Sequence, residues 1–121
     1  MFCFSMQLNR QEFSEVLAQE KRIHILDFRE PEEFVKAHVK GSINVPTTTL
    51  KIASEKLYEP LKKEQVYVIT NSLFARETLD ELEKRGFENT HYIMSDMDDI
   101  MMSIPKNRRG GLDHEKVTNS S

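Results

Sequence analysis

Residues 25–46 read ILDFREPEEFVKAHVKGSINVP and contain the pattern that decides the fold. The apolar residues within 23–28 predict a short buried strand, because β-branched and aromatic side chains are typical of strands covered on both faces. A proline after charged residues predicts a helix over 31–37, since proline suits the first helical turn. Gly41 allows a positive φ after this helix, and a second strand should cover 42–45 and end at the next proline.

The same alternation of strands and helices continues along the rest of the chain. Asn9 and Glu12 form a capping pattern, in which the side chain of each residue can bond the main chain of the other. Apolar spacing predicts the other elements, which are helices over 10–18, from about 49, over 73–85 and over 98–103, and strands over 65–69 and 90–94. Strands that alternate with helices pair in parallel through right-handed crossovers, so the predicted fold class is α/β.

Composition and charge limit the functions that this chain can perform. Its 121 residues suit one domain with one sizeable core. With 17 basic and 20 acidic side chains the formal net charge is -3, which gives no general attraction to nucleic acid or to an anionic membrane. The apolar runs are far shorter than the roughly 20 residues that span a bilayer, so we predict a cytoplasmic protein without membrane contact.

Cysteine and histidine usage argues against a bound metal or cofactor. The single cysteine, Cys3, cannot form an internal disulfide, and the chain lacks the paired spacing of a structural zinc site. His24, His91 and His114 have no mutual spacing that indicates a metal site, and we expect them at the surface. We therefore predict no metal and no cofactor.

Residues 105–121, PKNRRGGLDHEKVTNSS, differ in composition from the rest of the chain. They contain almost no apolar side chain to bury, and apolar burial is what offsets the entropy lost on ordering. We therefore predict a folded domain over residues 1–104 and a flexible polar tail over residues 105–121.

Residues 25–46 resemble the signature of the rhodanese-like (sulfurtransferase) domain. The shared features are a strand that ends in Asp-x-Arg, a Glu-Pro-Glu-Glu-Phe helix start, a histidine near the helix end and Gly-x-Ile-Asn-x-Pro. Residues 66–93, VYVITNSLFARETLDELEKRGFENTHYI, resemble the family's strand, active-site loop, helix and following strand. The resemblance runs from about residue 6 to residue 104. It implies a single domain with a central, mostly parallel five-stranded sheet and helices on both faces.

The resemblance also implies a place for sulfur chemistry at the end of the strand over 65–69. In the family a cysteine there carries a persulfide, and main-chain N–H groups of the following loop surround it. The matching position falls at residue 68, 69 or 70, where a valine, an isoleucine and a threonine stand, and none of these side chains can carry a persulfide. The loop also lacks glycine, so we do not expect a tight cradle of N–H groups. The altered loop consists of Val68, Ile69, Thr70, Asn71, Ser72, Leu73 and Phe74.

Other positions of the family pattern are present. Asp27 resembles an acceptor that organises a loop, and Arg29 either binds an anion in the pocket or pairs with Asp27 or Glu33. Arg76 is a second candidate for anion binding, and His38 is expected to be packed and hydrogen-bonded. We assign no catalytic residue.

Asp96, Asp98 and Asp99 add negative charge near the rim of the expected site, where the family usually has Gly-Gly. These carboxylates would repel an anionic sulfur donor such as thiosulfate. They would also be favourable at the start of a helix, where the helix dipole is positive.

Three functions are compatible with these features. The first, which we favour, is a noncatalytic domain that binds or regulates a protein partner. The second is a sulfurtransferase or sulfur carrier that uses Cys3 or a partner's thiol. The third is a sensor of a small anion or phosphorylated ligand that uses the altered loop with Arg29 and Arg76. We accordingly expect a protein partner, with a small anion as the alternative ligand, and no enzymatic activity.

Overall fold

Five parallel strands form the central sheet of the protein, whose structure is a computed structural model that describes residues 4–19, 23–46, 58–71 and 73–112. Its strands are β1 (Phe4–Gln7), β2 (His24–Asp27), β4 (Ile43–Asn44), β5 (Gln65–Ile69) and β6 (Asn89–Ile93), while β3 (His38–Val39) and β7 (Arg109–Gly110) form a separate antiparallel pair. Every strand pair in the central sheet is parallel, and the strand order is β1-β6-β5-β2-β4.

Helices cover both faces of the sheet. Side chains alternate between the two faces along each strand, so both faces carry apolar residues that helices can cover. In β5, Tyr67 and Ile69 face one apolar cluster, whereas Val66 and Val68 face the other. The helices are α1 (Arg10–Gln19), α2 (Pro31–Lys36), α3 (Ala75–Lys84) and α4 (Met97–Ser103), with short 3-10 turns at Glu59–Leu61 and Lys106–Arg108. Apolar residues of α1 and α4 belong to the first cluster, and Leu82 of α3 belongs to the second. The predicted α/β fold with a five-stranded sheet is confirmed.

The predicted elements lie close to the observed ones. The strand predicted over 65–69 has the same bounds in the structure, and the helix predicted over 10–18 is one residue longer. Gly41 and Gly86 have φ values of 87° and 95°, as expected for glycines that follow a turn or end a helix. The helix predicted from about residue 49 lies outside the described residues up to residue 57.

The prediction of a flexible tail from residue 105 is wrong for residues 105–112. This segment pairs with β3, and the N–H of Lys40 also donates to the carbonyl of Arg108 at 2.8 Å. Gly111 has a φ of 108°, and a Cβ there would lie 2.5 Å from the carbonyl oxygen of Lys36. Main-chain bonds and close backbone packing therefore hold a segment that has few apolar side chains. Residues 113–121 lie outside the described part of the chain.

The histidines expected at the surface differ in their surroundings. His24 is exposed, whereas His91 is partly buried and stacks on Tyr67 with ring centroids 5.4 Å apart. Burial lowers the pKa of His91 from its ordinary value of 6.5, because a charged imidazolium loses hydration there. The surface prediction is therefore wrong in part for His91, and His114 lies outside the described residues.

The predicted capping pattern at the start of α1 is confirmed. Asn9 Oδ1 accepts from the N–H of Glu12 at 2.8 Å, and Glu12 Oε1 accepts from the N–H of Asn9 at 2.9 Å. Two N–H groups that the helix leaves without an internal partner are thus satisfied by side chains. This capping box determines where α1 begins after β1.

Asn9→Ala should lower the free energy of unfolding by about 1 kcal/mol, because the first turn of α1 loses its side-chain acceptor. Chemical denaturation followed by circular dichroism measures this loss. The matched control Gln11→Ala changes an exposed residue in the same turn and should leave stability within about 0.5 kcal/mol of the wild type. Equal stability of the two variants would show that the capping box contributes nothing measurable.

Candidate functional site

The candidate site lies at the carboxyl end of the sheet. Strand β5 is flanked by β2 and β6 and runs parallel to both, so these three strands end on the same side of the domain. The segments that follow them cover residues 28–30, 70–74 and 94–96. Ligands of open α/β sheets bind where such segments meet. Every site residue predicted from the sequence lies in or beside these segments, except those outside the described residues.

A buried ion pair organises the segment after β2. The Asp27 side chain is 0% exposed, and its Oδ2 lies 2.8 Å from Arg29 Nη2. Asp27 Oδ1 also accepts from the main-chain N–H and from Nε of Arg29, each at 3.0 Å. Two parallel guanidinium bonds and one main-chain bond thus converge on a single carboxylate. Of the two options left open for Arg29, the structure shows pairing with Asp27.

Two further contacts connect this pair to neighbouring elements. Arg29 Nη2 donates to the carbonyl of Ala37, directly after α2, at 2.7 Å. Asn44 Nδ2 donates to the main-chain carbonyls of Asp27 at 3.0 Å and of Arg29 at 2.9 Å. Sequence reasoning assigned no role to Asn44, although its place in Gly-x-Ile-Asn-x-Pro was a visible signal. The network joins β2, α2 and β4.

The end of β5 is part of the core. Val68, Ile69 and Thr70 are 0%, 1% and 4% exposed, and the N–H of Thr70 donates to the carbonyl of Ile93 at 3.1 Å. Val68 and Ile69 belong to the two apolar clusters on opposite faces of the sheet. The three positions where the family cysteine could fall are therefore filled by buried side chains without a thiol.

The loop after β5 presents two apolar side chains to solvent. Leu73 is 79% exposed and Phe74 is 36% exposed, directly before α3. Asn71 Oδ1 accepts from the N–H of Phe74 at 2.9 Å, so one N–H group that a nest would need is already bonded within the loop. Ser72 lies outside the described residues.

The two arginines predicted to bind an anion line different concavities. Arg76 lies in a groove along α3 together with Leu73, Asp80 and Lys84. Arg29 lies in a cleft between the start of α4 and the end of α2. That cleft, called the acidic cleft below, is lined by Arg29, Glu33, Lys36, Ala37, Asp96, Met97, Asp98 and Asp99.

His38 is packed and hydrogen-bonded. Its Nδ1 lies 2.7 Å from the carbonyl of Phe34, and its ring stacks on that of Phe34 with centroids 4.0 Å apart. Because a carbonyl only accepts, Nδ1 carries the proton and donates. A Cβ on Gly110 would lie 2.9 Å from His38 Nε2, so the C-terminal segment packs closely on the other ring nitrogen.

Two features of the described residues bear on metal binding and on membranes. Among residues 4–19, 23–46, 58–71 and 73–112, no group of three or more His, Cys, Asp or Glu side chains is placed to hold a metal ion. No helix in the part of the chain that the structure describes is long and apolar enough to cross a bilayer. The cytoplasmic location stays a prediction.

Comparisons with known proteins agree with this geometry. The model of the family described as Rhodanese-like domain matches residues 9–101. A putative sulfur carrier protein of Bacillus subtilis, YrkF, is 26% identical over 94 residues, which cover 77% of this chain and 49% of that protein. This chain therefore spans about half the length of that curated relative.

Solved structures of low sequence identity have the same fold. The rhodanese-like domain from the Anabaena sp. Alr3790 protein has a TM-score of 0.71 at 18% identity, with 91% of this chain and 82% of that chain covered. A single-domain sulfurtransferase of Saccharomyces cerevisiae has a TM-score of 0.67 at 13% identity, with 87% and 99% covered. At these identities the likeness concerns the fold alone.

Arg29→Met should lower the free energy of unfolding by about 3 kcal/mol, because it leaves the buried carboxylate of Asp27 without its cation. Arg29→Lys should lower it less, since lysine keeps the charge but cannot form two parallel bonds. Urea denaturation measures both losses. Arg76→Met removes an exposed arginine and is the matched control. A loss for Arg29→Met no larger than that for Arg76→Met would contradict a structural role for the ion pair.

Proposed function

The chain belongs to the rhodanese-like domain family, and we propose that this member is a noncatalytic domain that binds a protein partner at the carboxyl end of its sheet. The observation that carries the proposal is the chemistry at the end of β5. Buried Val68, Ile69 and Thr70 stand where the family resemblance places the sulfur-bearing cysteine. Neither a hydrocarbon side chain nor a threonine hydroxyl can form and hold a persulfide.

The place of Phe4 in the sheet bears on whether the sole thiol of the chain could replace the missing one. Cys3 is the only cysteine in the sequence. The residue after it, Phe4, begins β1, and β1 runs parallel to the strands whose far ends form the candidate site. Phe4 therefore lies at the amino end of the sheet, on the side opposite to the altered loop.

The exposed pair Leu73 and Phe74 supports a role in binding. A side chain as large as leucine that is 79% exposed contributes little to the core, whereas aromatic residues are enriched in protein interfaces. The bond from the N–H of Phe74 to Asn71 and the start of α3 position the pair on ordered backbone. Preorganisation of this kind lowers the entropy lost when a partner binds.

The two other functions have weaker support from the described contacts. The name of the Bacillus subtilis relative favours a sulfur carrier, but this chain would need Cys3 or a partner's thiol to act as one. The anion sensor was expected to use Arg29 together with Arg76, whereas Arg29 is bonded to Asp27 in a cleft with four carboxylates and Arg76 lines a different groove.

The wild-type protein should form no thiocyanate from thiosulfate and cyanide, because the end of β5 offers no thiolate to accept sulfur. A colorimetric thiocyanate assay measures this, with an active thiosulfate sulfurtransferase as the positive control. Turnover that is lost in Cys3→Ser would contradict the noncatalytic proposal and favour sulfur transfer through Cys3.

The double variant Leu73→Ser/Phe74→Ser should lose a specific partner that the wild-type protein retains on co-purification from its source cells. Leu73 is 79% exposed and Phe74 is 36% exposed, and thermal unfolding checks that the variant stays folded. Met102→Ser removes a side chain that is 81% exposed on α4 and should retain the partner. Retention of the partner by the double variant would exclude Leu73 and Phe74 as the binding surface.

A further inference from the structure

The acidic cleft has more negative than positive side chains. Four carboxylates line it, and the two cations in its lining are Arg29 and Lys36. The guanidinium of Arg29 is bonded to the carboxylate of Asp27, which is itself outside the lining. Lys36 is then the one cation of the lining that is left to offset the carboxylates of Glu33, Asp96, Asp98 and Asp99.

Contacts outside the cleft neutralise this charge only in part. Arg10 Nη1 lies 3.8 Å from Asp99 Oδ1, and both side chains are about half exposed, at 48% and 52%. An ion pair with that geometry in water is weak. The cleft therefore keeps a negative potential that water and salt screen but do not cancel.

Helix capping does not account for all of these carboxylates. Asp96 occupies the N-cap position of α4, yet its side chain makes no capping hydrogen bond. Asp98 and Asp99 lie in the first turn of α4, where the helix dipole favours negative charge without neutralising it. The carboxylate of Asp96 is thus exposed and available to an incoming cation.

The acidic cleft and the apolar pair lie at the same end of the sheet. Leu73 and Phe74 follow β5, Arg29 follows β2, and Asp96 follows β6. Because β5 is hydrogen-bonded to both β2 and β6, the segment after β5 begins about 5 Å from each of the other two, and those two begin about 10 Å apart. An extended segment of ten residues spans about 33 Å, since each residue spans about 3.3 Å, and this exceeds the width of the three strand ends.

We infer that the partner presents a cationic segment, in which lysine or arginine side chains flank an apolar residue. This inference rests on the proposed binding function. The apolar residue packs on Leu73 and Phe74, and the cations pair with the carboxylates of the acidic cleft. Charge complementarity of this kind sets orientation and excludes anionic partners. An acidic peptide, a nucleic acid or a small anion would be repelled by the same carboxylates.

Three synthetic ten-residue peptides test the inference by fluorescence anisotropy on the full chain at physiological salt. The first has a Leu-Phe pair flanked by four lysines, the second has four glutamates in place of the lysines, and the third keeps the lysines but has Ser-Ser in place of Leu-Phe. The first should bind saturably, and its affinity should fall as salt is raised. The second and third should bind more weakly.

Matched variants locate the binding. Asp96→Asn/Asp98→Asn should weaken binding of the first peptide about fivefold, as expected for the loss of two surface ion pairs. Glu64→Gln/Glu88→Gln makes the same change in net charge with two exposed carboxylates beside the amino ends of β5 and β6, and should leave binding unchanged. Leu73→Ser/Phe74→Ser should also weaken binding of the first peptide.

The outcomes separate this inference from the proposed function. Equal binding of the lysine and glutamate peptides, equal losses in the two charge variants, or no binding of the first peptide would each overturn the cationic partner. If the peptide results contradict a cationic partner but Leu73→Ser/Phe74→Ser loses the co-purified partner, the proposed binding surface is retained and only the cationic character of the partner is rejected. If that variant keeps the partner, the proposed binding surface is rejected, whatever the peptides show.

Discussion

The carboxylate of Asp27 is out of contact with water, and the rest of the site depends on how its charge is compensated. A buried charge without a partner costs several kcal/mol, so the guanidinium of Arg29 has to remain beside it. Arg29 in turn bonds the carbonyl after α2, and Asn44 bonds the carbonyls of both residues. One ion pair thereby holds the ends of β2, α2 and β4 in a single arrangement.

This network and the loop after β5 are held by different side-chain bonds, although β2 and β5 are paired and the N–H of Phe28 donates to the carbonyl of Ile69 at 3.0 Å. The Asp27 network uses residues 27–44, whereas the loop after β5 is held by the bond from Phe74 to Asn71 and by the core packing of Val68 and Ile69. Among the described residues, the bonds of the buried ion pair use no side chain of residues 68–70. The same network takes up Arg29, one of the two cations that the predicted anion site would have used, and the remaining side chains of the acidic cleft have more negative than positive charges.

Local patterns predicted much of the fold because their causes are local. The run of Val and Ile with Tyr in β5 predicted a strand with the observed bounds, and Asn9 with Glu12 predicted the start of α1 through bonds between residues three apart. The C-terminal segment was missed for the opposite reason. This segment is held by main-chain pairing with β3 and by the close approach of Gly111 to Lys36. Neither contact can be predicted from the number of apolar side chains in the segment.

The sequence by itself determined the order of the four helices and of four of the five sheet strands, the lack of a cysteine within residues 65–76 and the presence of three aspartates near the start of α4. Only the tertiary structure decided that Arg29 is bonded to Asp27, that Arg29 and Arg76 line different concavities, and that Leu73 and Phe74 are exposed. The physical reason is the separation along the chain between the residues that interact. Strand and helix patterns follow from neighbouring residues, whereas the charge and exposure of a side chain depend on partners that a parallel sheet brings together from distant parts of the chain.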